Sequence, residues 1–90
     1  MNGFELLEVS GESCANCFTL MPILNRLAAE RNIPLKHIEA GADTRELIDS
    51  LKIERVPTLI VFKDGKEMAR CTGFQPEEIL SVWLDAKLEE

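Results

Sequence analysis

Long apolar runs are missing from this chain. No stretch approaches the ~18 consecutive apolar residues that a membrane-spanning helix requires, so no membrane function is expected. Glycine and proline are few, five and four in 90 residues, and there is no low-complexity stretch, internal repeat or linker. One small domain over residues 1–90 is therefore expected, near the lower limit of what a single core supports. Positive charge is in short supply: ten Lys and Arg stand against 16 Asp and Glu, for a net charge of −6. That balance argues against nucleic acid or an anionic membrane surface as partner. The opening segment, MNGFELLEVSGES, lacks the basic stretch and apolar run of a secretory leader, so a cytoplasmic location is expected. There is also no Gly-rich phosphate loop, no catalytic pair of carboxylates, and no nucleophile-elbow or metalloprotease motif.

Cysteine is scarce and odd in number, at three, which rules out a complete disulfide framework. Two of the three stand close together, Cys14-Ala15-Asn16-Cys17, just ahead of an apolar run. In the reducing cytosol structural disulfides are rare. Closing a loop this short contributes only about 2 kcal/mol in the chain-entropy model, against ~4–5 kcal/mol for a long loop. Reversible redox chemistry or metal binding is the better reason for such a spacing.

The elements around the pair follow from periodicity. Phe4–Val9 reads as a strand that runs into a polar turn over Ser10–Ser13. Cys17, Leu20, Met21, Leu24, Leu27 and Ala28 fall at helical spacing, with Pro22 expected to kink that helix. Leu35–Glu39 reads as a second strand, and Asp43 with Glu46 as a capping box opening a short helix to about Leu51. Thr58–Phe62 has the continuous apolar character of a strand buried on both faces. Lys63-Asp64-Gly65-Lys66 carries the Asp-Gly hairpin signature, and Glu67–Thr72 returns. Pro76 starts a last helix with Ile79, Leu80, Trp83 and Leu84 on one face. The order β-α-β-α-β-β-α gives an α/β fold: a four-stranded mixed sheet with helices on both faces, a three-layer sandwich.

A helix starting near Cys14 puts Cys17 one turn on and on the same face, where two Cβ atoms are ~5–6 Å apart. The free amides and partial positive charge of a helix N-terminus stabilise a thiolate. Cys14 is then the exposed nucleophile and Cys17 the resolving thiol. Glu8 alternates with Phe4 and Leu6, so it shares a face with apolar residues in a strand expected to be central. Burial disfavours a charged carboxylate, which makes Glu8 a candidate proton acceptor for the Cys17 thiol; a strand-end glutamate reaching solvent is the plain alternative. Pro57, at the head of a buried strand, suits a first-residue position in either peptide isomer.

With these residues in place, the chain resembles the thioredoxin-like family from Phe4 to about Leu88. The resemblance rests on the element order, on Cys14-Ala15-Asn16-Cys17 opening the first helix, and on Pro22 five residues after Cys17. Val56-Pro57-Thr58, Gly65, Gly73 and Glu8 also stand at the family's positions. It implies a thiol–disulfide oxidoreductase with a cis-proline loop at Val56-Pro57-Thr58 beside the cysteines. Through that loop the backbone of an extended substrate would be held by strand addition, with Arg55 at its border. It implies no cofactor beyond the dithiol itself, disulfide-containing proteins as substrates, re-reduction by a flavin-containing reductase or a dithiol donor, and a monomer.

The departures are also visible. Ser13-Cys14-Ala15-Asn16-Cys17 replaces the family's usual Trp-Cys-Gly-Pro-Cys, Glu12 lies close by and opposes a thiolate, and the family's additional N-terminal strand and helix are lacking. Three other readings stay open. A glutaredoxin-like protein using glutathione would suit Val56-Pro57, although the downstream double glycine is absent and Gly73 stands alone. A non-enzymatic adaptor could use the same groove. Cys14, Cys17, His37 and Cys71 form a legitimate zinc or iron–sulfur donor set, against which stands the lack of a second closely spaced pair. Otherwise His37 reads as an ordinary strand histidine, Cys71 as a bystander thiol, and Met21, Met68 and Trp83 as packing.

Overall fold

The apolar alternation of the strands and the helical stripe behind Cys17 settle into a four-stranded sheet with three helices. The structure is a computed structural model that describes residues 3–89. In chain order come β1 (Phe4–Gly11), α1 (Ala15–Glu30), β2 (Leu35–Ala40), a 3-10 turn (Ala42–Thr44), α2 (Arg45–Ser50), β3 (Thr58–Lys63), β4 (Lys66–Thr72) and α3 (Glu77–Leu88). Strand order is β2-β1-β3-β4, with β1 parallel to β2 and the other pairs antiparallel.

Register decides which residues share a face. Leu6 and Glu8 of β1 lie beside Leu35 and His37 of β2, and opposite Val61 and Leu59 of β3. On this face Phe4, Leu6, Leu59 and Val61 meet Leu20, Leu24, Leu27 and Ala28 of α1 and Leu80 and Leu84 of α3 in one buried cluster. Arg31 ties the two helices together: its guanidinium donates to the Ser81 hydroxyl at 2.7 Å and to Asp85 at 2.9 Å. The opposite face carries α2. Arg70, which alternates away from Cys71 on β4, donates to the carbonyl of Leu51 at the end of that helix, at 2.8 Å.

Several boundaries and packing assignments differ from the sequence expectation. β1 continues through Ser10 and Gly11, because both stay in register with Glu39 and Ala40 of β2. α1 runs unbroken through Pro22, which lies on its exposed side. The start of α2 is organised by Thr44 rather than by an Asp43–Glu46 box: the Thr44 hydroxyl accepts from the Gly41 amide at 3.0 Å and donates to the Glu39 carbonyl at 2.7 Å. Met68 is exposed rather than packed. The register shifts between Val61, opposite Ala69, and Phe62, opposite Glu67, so Met68 is the extra residue of a β-bulge. On α3 the inward stripe is Leu80, Trp83 and Leu84, while Ile79 is exposed. The hairpin turn matches its signature: Asp64 and Gly65 both have positive φ, as a two-residue turn between twisted strands requires.

Candidate redox site

The site lies where β1 ends and α1 begins. Ser13, with φ +57°, adopts a left-handed conformation that swings the chain out of the sheet, and Cys14 becomes the N-cap of α1. Its Sγ accepts a hydrogen bond from the Cys17 amide at 3.1 Å, filling the place that a Ser or Asp oxygen takes at other helix starts. Cys14 and Cys17 are joined as a disulfide, with Cα atoms 5.3 Å apart. The two sulfurs have unequal access: Cys14 is half-buried, Cys17 only 3% exposed. A donor amide at the sulfur of the outer residue favours negative charge there, so the geometry supports an outer nucleophile and an inner resolving thiol.

An open cleft flanks the disulfide on the β2 side. Ser10, Cys14, Cys17, Phe18, Met21 and His37 are among its lining, and its volume is about 680 Å³. Phe18, 83% exposed, presents an aromatic ring beside the sulfurs, although the position ahead of Cys14 holds Ser13. Met21 is half-buried on this cleft rather than in the core.

Glu8 lies beneath the cleft with no exposed surface, the buried position expected for it. Both of its oxygens are engaged: the Ser10 hydroxyl donates to Oε2 at 2.6 Å, and Nδ1 of His37 is 2.6 Å from Oε1. His37 is therefore more than an ordinary strand residue. Its link to Glu8 spans 29 positions in sequence and follows from the parallel register of β1 and β2. A polar residue at matching depth on the neighbouring parallel strand was the only signal that pointed to it.

On the other side of Gly11 is the Arg55–Thr58 segment, where the Val56–Pro57 peptide bond is cis. A Cβ on Gly11 would come within 3.0 Å of Val56 Cγ2, so glycine lets this segment close against the end of β1. Gly11 thus borders the disulfide cleft and the proline loop at once. The Pro57 carbonyl accepts from the Gly73 amide at 2.7 Å, and the Thr58 hydroxyl donates to the Arg55 carbonyl at 2.6 Å. Among the described residues no hydrogen bond engages the backbone N–H or C=O of Val56.

Cys71 is apart from all this. It lies on β4, opposite Leu59, partly buried against the core, and burial pushes its thiol above the usual cysteine range. The four donors of the zinc reading are not gathered: Cys14 and Cys17 are bonded to each other, His37 to Glu8, and among the described residues no three His, Cys, Asp or Glu side chains come together to hold a metal. Among those residues no helix is long and apolar enough to cross a membrane.

Comparison with known proteins agrees with this geometry. The thioredoxin family model matches residues 2–86. A thioredoxin of Chlamydia pneumoniae is 36% identical over 84 residues, covering 89% of this chain and 78% of the relative. One from Staphylococcus aureus is 32% identical over 88 residues, covering 97% and 85%. Among solved structures, a point mutant of a thioredoxin from Halobacterium salinarum superposes with a TM-score of 0.83 at 23% identity, over 96% of this chain and 75% of that one. Thioredoxin f2, solved in a complex with ferredoxin:thioredoxin reductase, gives 0.81 at 24% identity, over 96% and 79%. These structural likenesses show the same fold.

Proposed function

The chain belongs to the thioredoxin family and is a thiol–disulfide oxidoreductase, and we propose that Cys14 is its nucleophile and Cys17 its resolving cysteine. The observation that carries the assignment is the unequal access of two bonded sulfurs at the start of α1, the outer one held by the Cys17 amide. In the reduced protein the Cys14 thiolate attacks a disulfide of the substrate. A bond forms between Cys14 and one substrate sulfur, and the other leaves as a thiolate. Cys17 then attacks the Cys14 sulfur, the mixed disulfide breaks, the second substrate sulfur leaves, and the chain is left as the Cys14–Cys17 disulfide. Glu8, fully buried and bonded to Ser10 and His37 of the cleft, accepts the proton of Cys17.

Val56, Pro57 and Thr58 hold the substrate. The unengaged backbone groups of Val56 offer a donor and an acceptor to an extended polypeptide, as in strand addition. The exposed ring of Phe18 suits an apolar side chain near the substrate disulfide. The electrons reside on the two sulfurs, so the reading needs no separate cofactor. Re-reduction then falls to a reductase or a dithiol protein. One structural neighbour, a thioredoxin f2, is seen in complex with such a reductase, which supports that class of partner. In this reading residues 1–90 work as one domain, as a monomer, in the cytoplasm.

The test is a redox titration in thiol–disulfide buffers, with free thiols trapped and counted by mass in a Cys71→Ser background. A reversible two-electron transition confined to Cys14 and Cys17 is expected, and Cys14→Ser should reduce turnover of a protein disulfide to background. A midpoint near the ~−270 mV of thioredoxin would fit a reductase, and one near ~−200 mV a glutathione-linked role. A pair that never closes, or a Cys14→Ser variant that still turns over, would overturn the assignment.

A further inference from the structure

Glu8 has no route of its own to water. It is fully buried, with Ser10 on Oε2 and His37 on Oε1. A proton delivered to it from Cys17 has to leave again before the next cycle. His37 reaches both environments: Nδ1 is 2.6 Å from the carboxylate, while its side chain is 44% exposed and lines the cleft that Cys14 and Cys17 also line. With Nδ1 committed to Glu8, Nε2 is the ring nitrogen left to exchange with the cleft.

We propose that His37 is a positioning residue for the resolving step, which holds the Glu8 carboxylate and carries its proton to the cleft on the β2 side of α1. This rests on the reading of Glu8 as the acceptor for Cys17. Written out, the Cys17 thiol gives its proton to the Glu8 carboxylate, whose Oε1 is 2.6 Å from Nδ1 of His37. Neutral Glu8 passes that proton to Nδ1 as Nε2 gives one up to water in the cleft, so the carboxylate is restored and one proton in all leaves the site. The Cys17 thiolate attacks the Cys14 sulfur, the Cys14–substrate bond breaks, and its electron pair leaves on the substrate sulfur, which is protonated by water. Net, the substrate disulfide gains two electrons and two protons, and the dithiol becomes the disulfide. In the oxidised-to-reduced direction the same proton returns through His37.

The surroundings leave few competing groups. β2 adds Glu39, which lines the same cleft; α1 contributes the two cysteines themselves; β3 presents apolar Leu59 opposite Glu8; and β4 places the Cys71 thiol one strand further, opposite Leu59.

The experiment uses 5,5′-dithiobis(2-nitrobenzoate) with the reduced full chain in a Cys71→Ser background, followed by stopped-flow absorbance from pH 5 to 9. Attack by Cys14 releases the first thionitrobenzoate in a phase that depends on reagent concentration. Attack by Cys17 releases the second in a phase that does not. His37→Gln keeps a hydrogen-bonding group next to Glu8 but does not titrate. It should slow the second phase about 10-fold near pH 7, at the low end of what a positioned acid–base group contributes, and flatten its pH profile. The first phase should stay within about twofold. Glu8→Gln should slow the second phase at least as much. A slow Glu8→Gln with His37→Gln at the wild-type rate and profile would remove the relay and leave Glu8 standing. If Glu8→Gln also resolves at the wild-type rate, the acceptor assignment fails and the relay with it. Equal slowing of both phases by His37→Gln would show a structural effect and overturn the proposal.

Discussion

The two faces of the sheet are covered unequally. On one, α1 and α3 bury Leu20, Leu24, Leu27, Leu80 and Leu84 against Phe4, Leu6, Leu59 and Val61. On the other, the six-residue α2 contributes no buried side chain, and Leu7, Ile38 and Phe62 are left half-buried in an open depression that also includes Leu47. Hydrophobic stabilisation scales with the apolar area removed from water, so most of it belongs to the first face. The disulfide belongs to that face too. Cys17 continues the buried stripe of α1 into Leu20 and Leu24, and Glu8 continues the buried alternation of Phe4 and Leu6. The disulfide and Glu8 are thus mounted on the side with the larger buried cluster, while His37 borders both the disulfide cleft and the depression on the thinly covered side.

The largest effect that would break this contrast is a pair of leucine truncations. Leu24 has no exposed surface, and Leu24→Ala should cost about 2–5 kcal/mol of unfolding free energy, from the lost transfer energy and the cavity left behind. Leu47 is 45% exposed, and Leu47→Ala should stay within about 0.5 kcal/mol. Denaturant titrations of both variants make the comparison. Equal losses would mean that α2 shares the core after all.

A smaller effect sharpens the contrast by way of the two arginines that fasten the helices. Arg31 is 15% exposed and donates to the Leu27 carbonyl, the Ser81 hydroxyl and Asp85, so it bonds within α1 and across to α3. Arg31→Ala should cost about 1.5–3 kcal/mol, the range for hydrogen bonds with a charged partner after solvent has competed. Thermal and denaturant midpoints measure it. The redox midpoint of Cys14 and Cys17 should move little, because the tether lies at the far end of α1 from the cysteines.

Much of this contrast was legible in the sequence. The α1 stripe, the burial of Glu8, the continuous apolar strand β3 and the Asp64-Gly65 turn all follow from local periodicity or turn chemistry, which neighbouring residues settle among themselves. What was missed depends on register or on the third dimension. The pairing of His37 with Glu8 was missed because it is set by the alignment of two parallel strands and not by anything beside it in the chain. Met68 looked like packing until a bulge displaced it, and a bulge is a mismatch between two strands, invisible in either alone. The Thr44 hydroxyl, not Asp43, closes the 3-10 turn ahead of α2 on the Gly41 amide, and it also reaches the Glu39 carbonyl at the end of β2. Ile79 is apolar in composition yet lies one residue to the side of the inward stripe. For Pro57 the sequence left both peptide isomers open, since the tertiary amide makes them close in energy.

The smallest effect concerns the fastening of the thin side and depends on pH. Arg70 holds the C-terminal carbonyls of α2 and is itself held by Glu67, with bonds at 2.6 and 2.8 Å. That hydrogen bond, with the charge of Arg70 adding to it, keeps the Glu67 carboxyl below its ordinary value against a weaker opposing effect of burial. A carboxyl lowered in the folded state binds protons more readily when unfolded. Its stabilisation is therefore complete above the unfolded value of about 4.3, and is lost as pH falls through the lower folded value. Both side chains are substantially exposed, so solvent screening limits the contribution to roughly 0.5 kcal/mol. Glu67→Gln should then be less stable than the natural chain by about that amount at pH 7, and the deficit should shrink as pH falls below the unfolded carboxyl value, with denaturant midpoints across that range as the measurement. A deficit that persists undiminished at low pH would show that Glu67 acts by packing, and that the ion pair does not fasten α2.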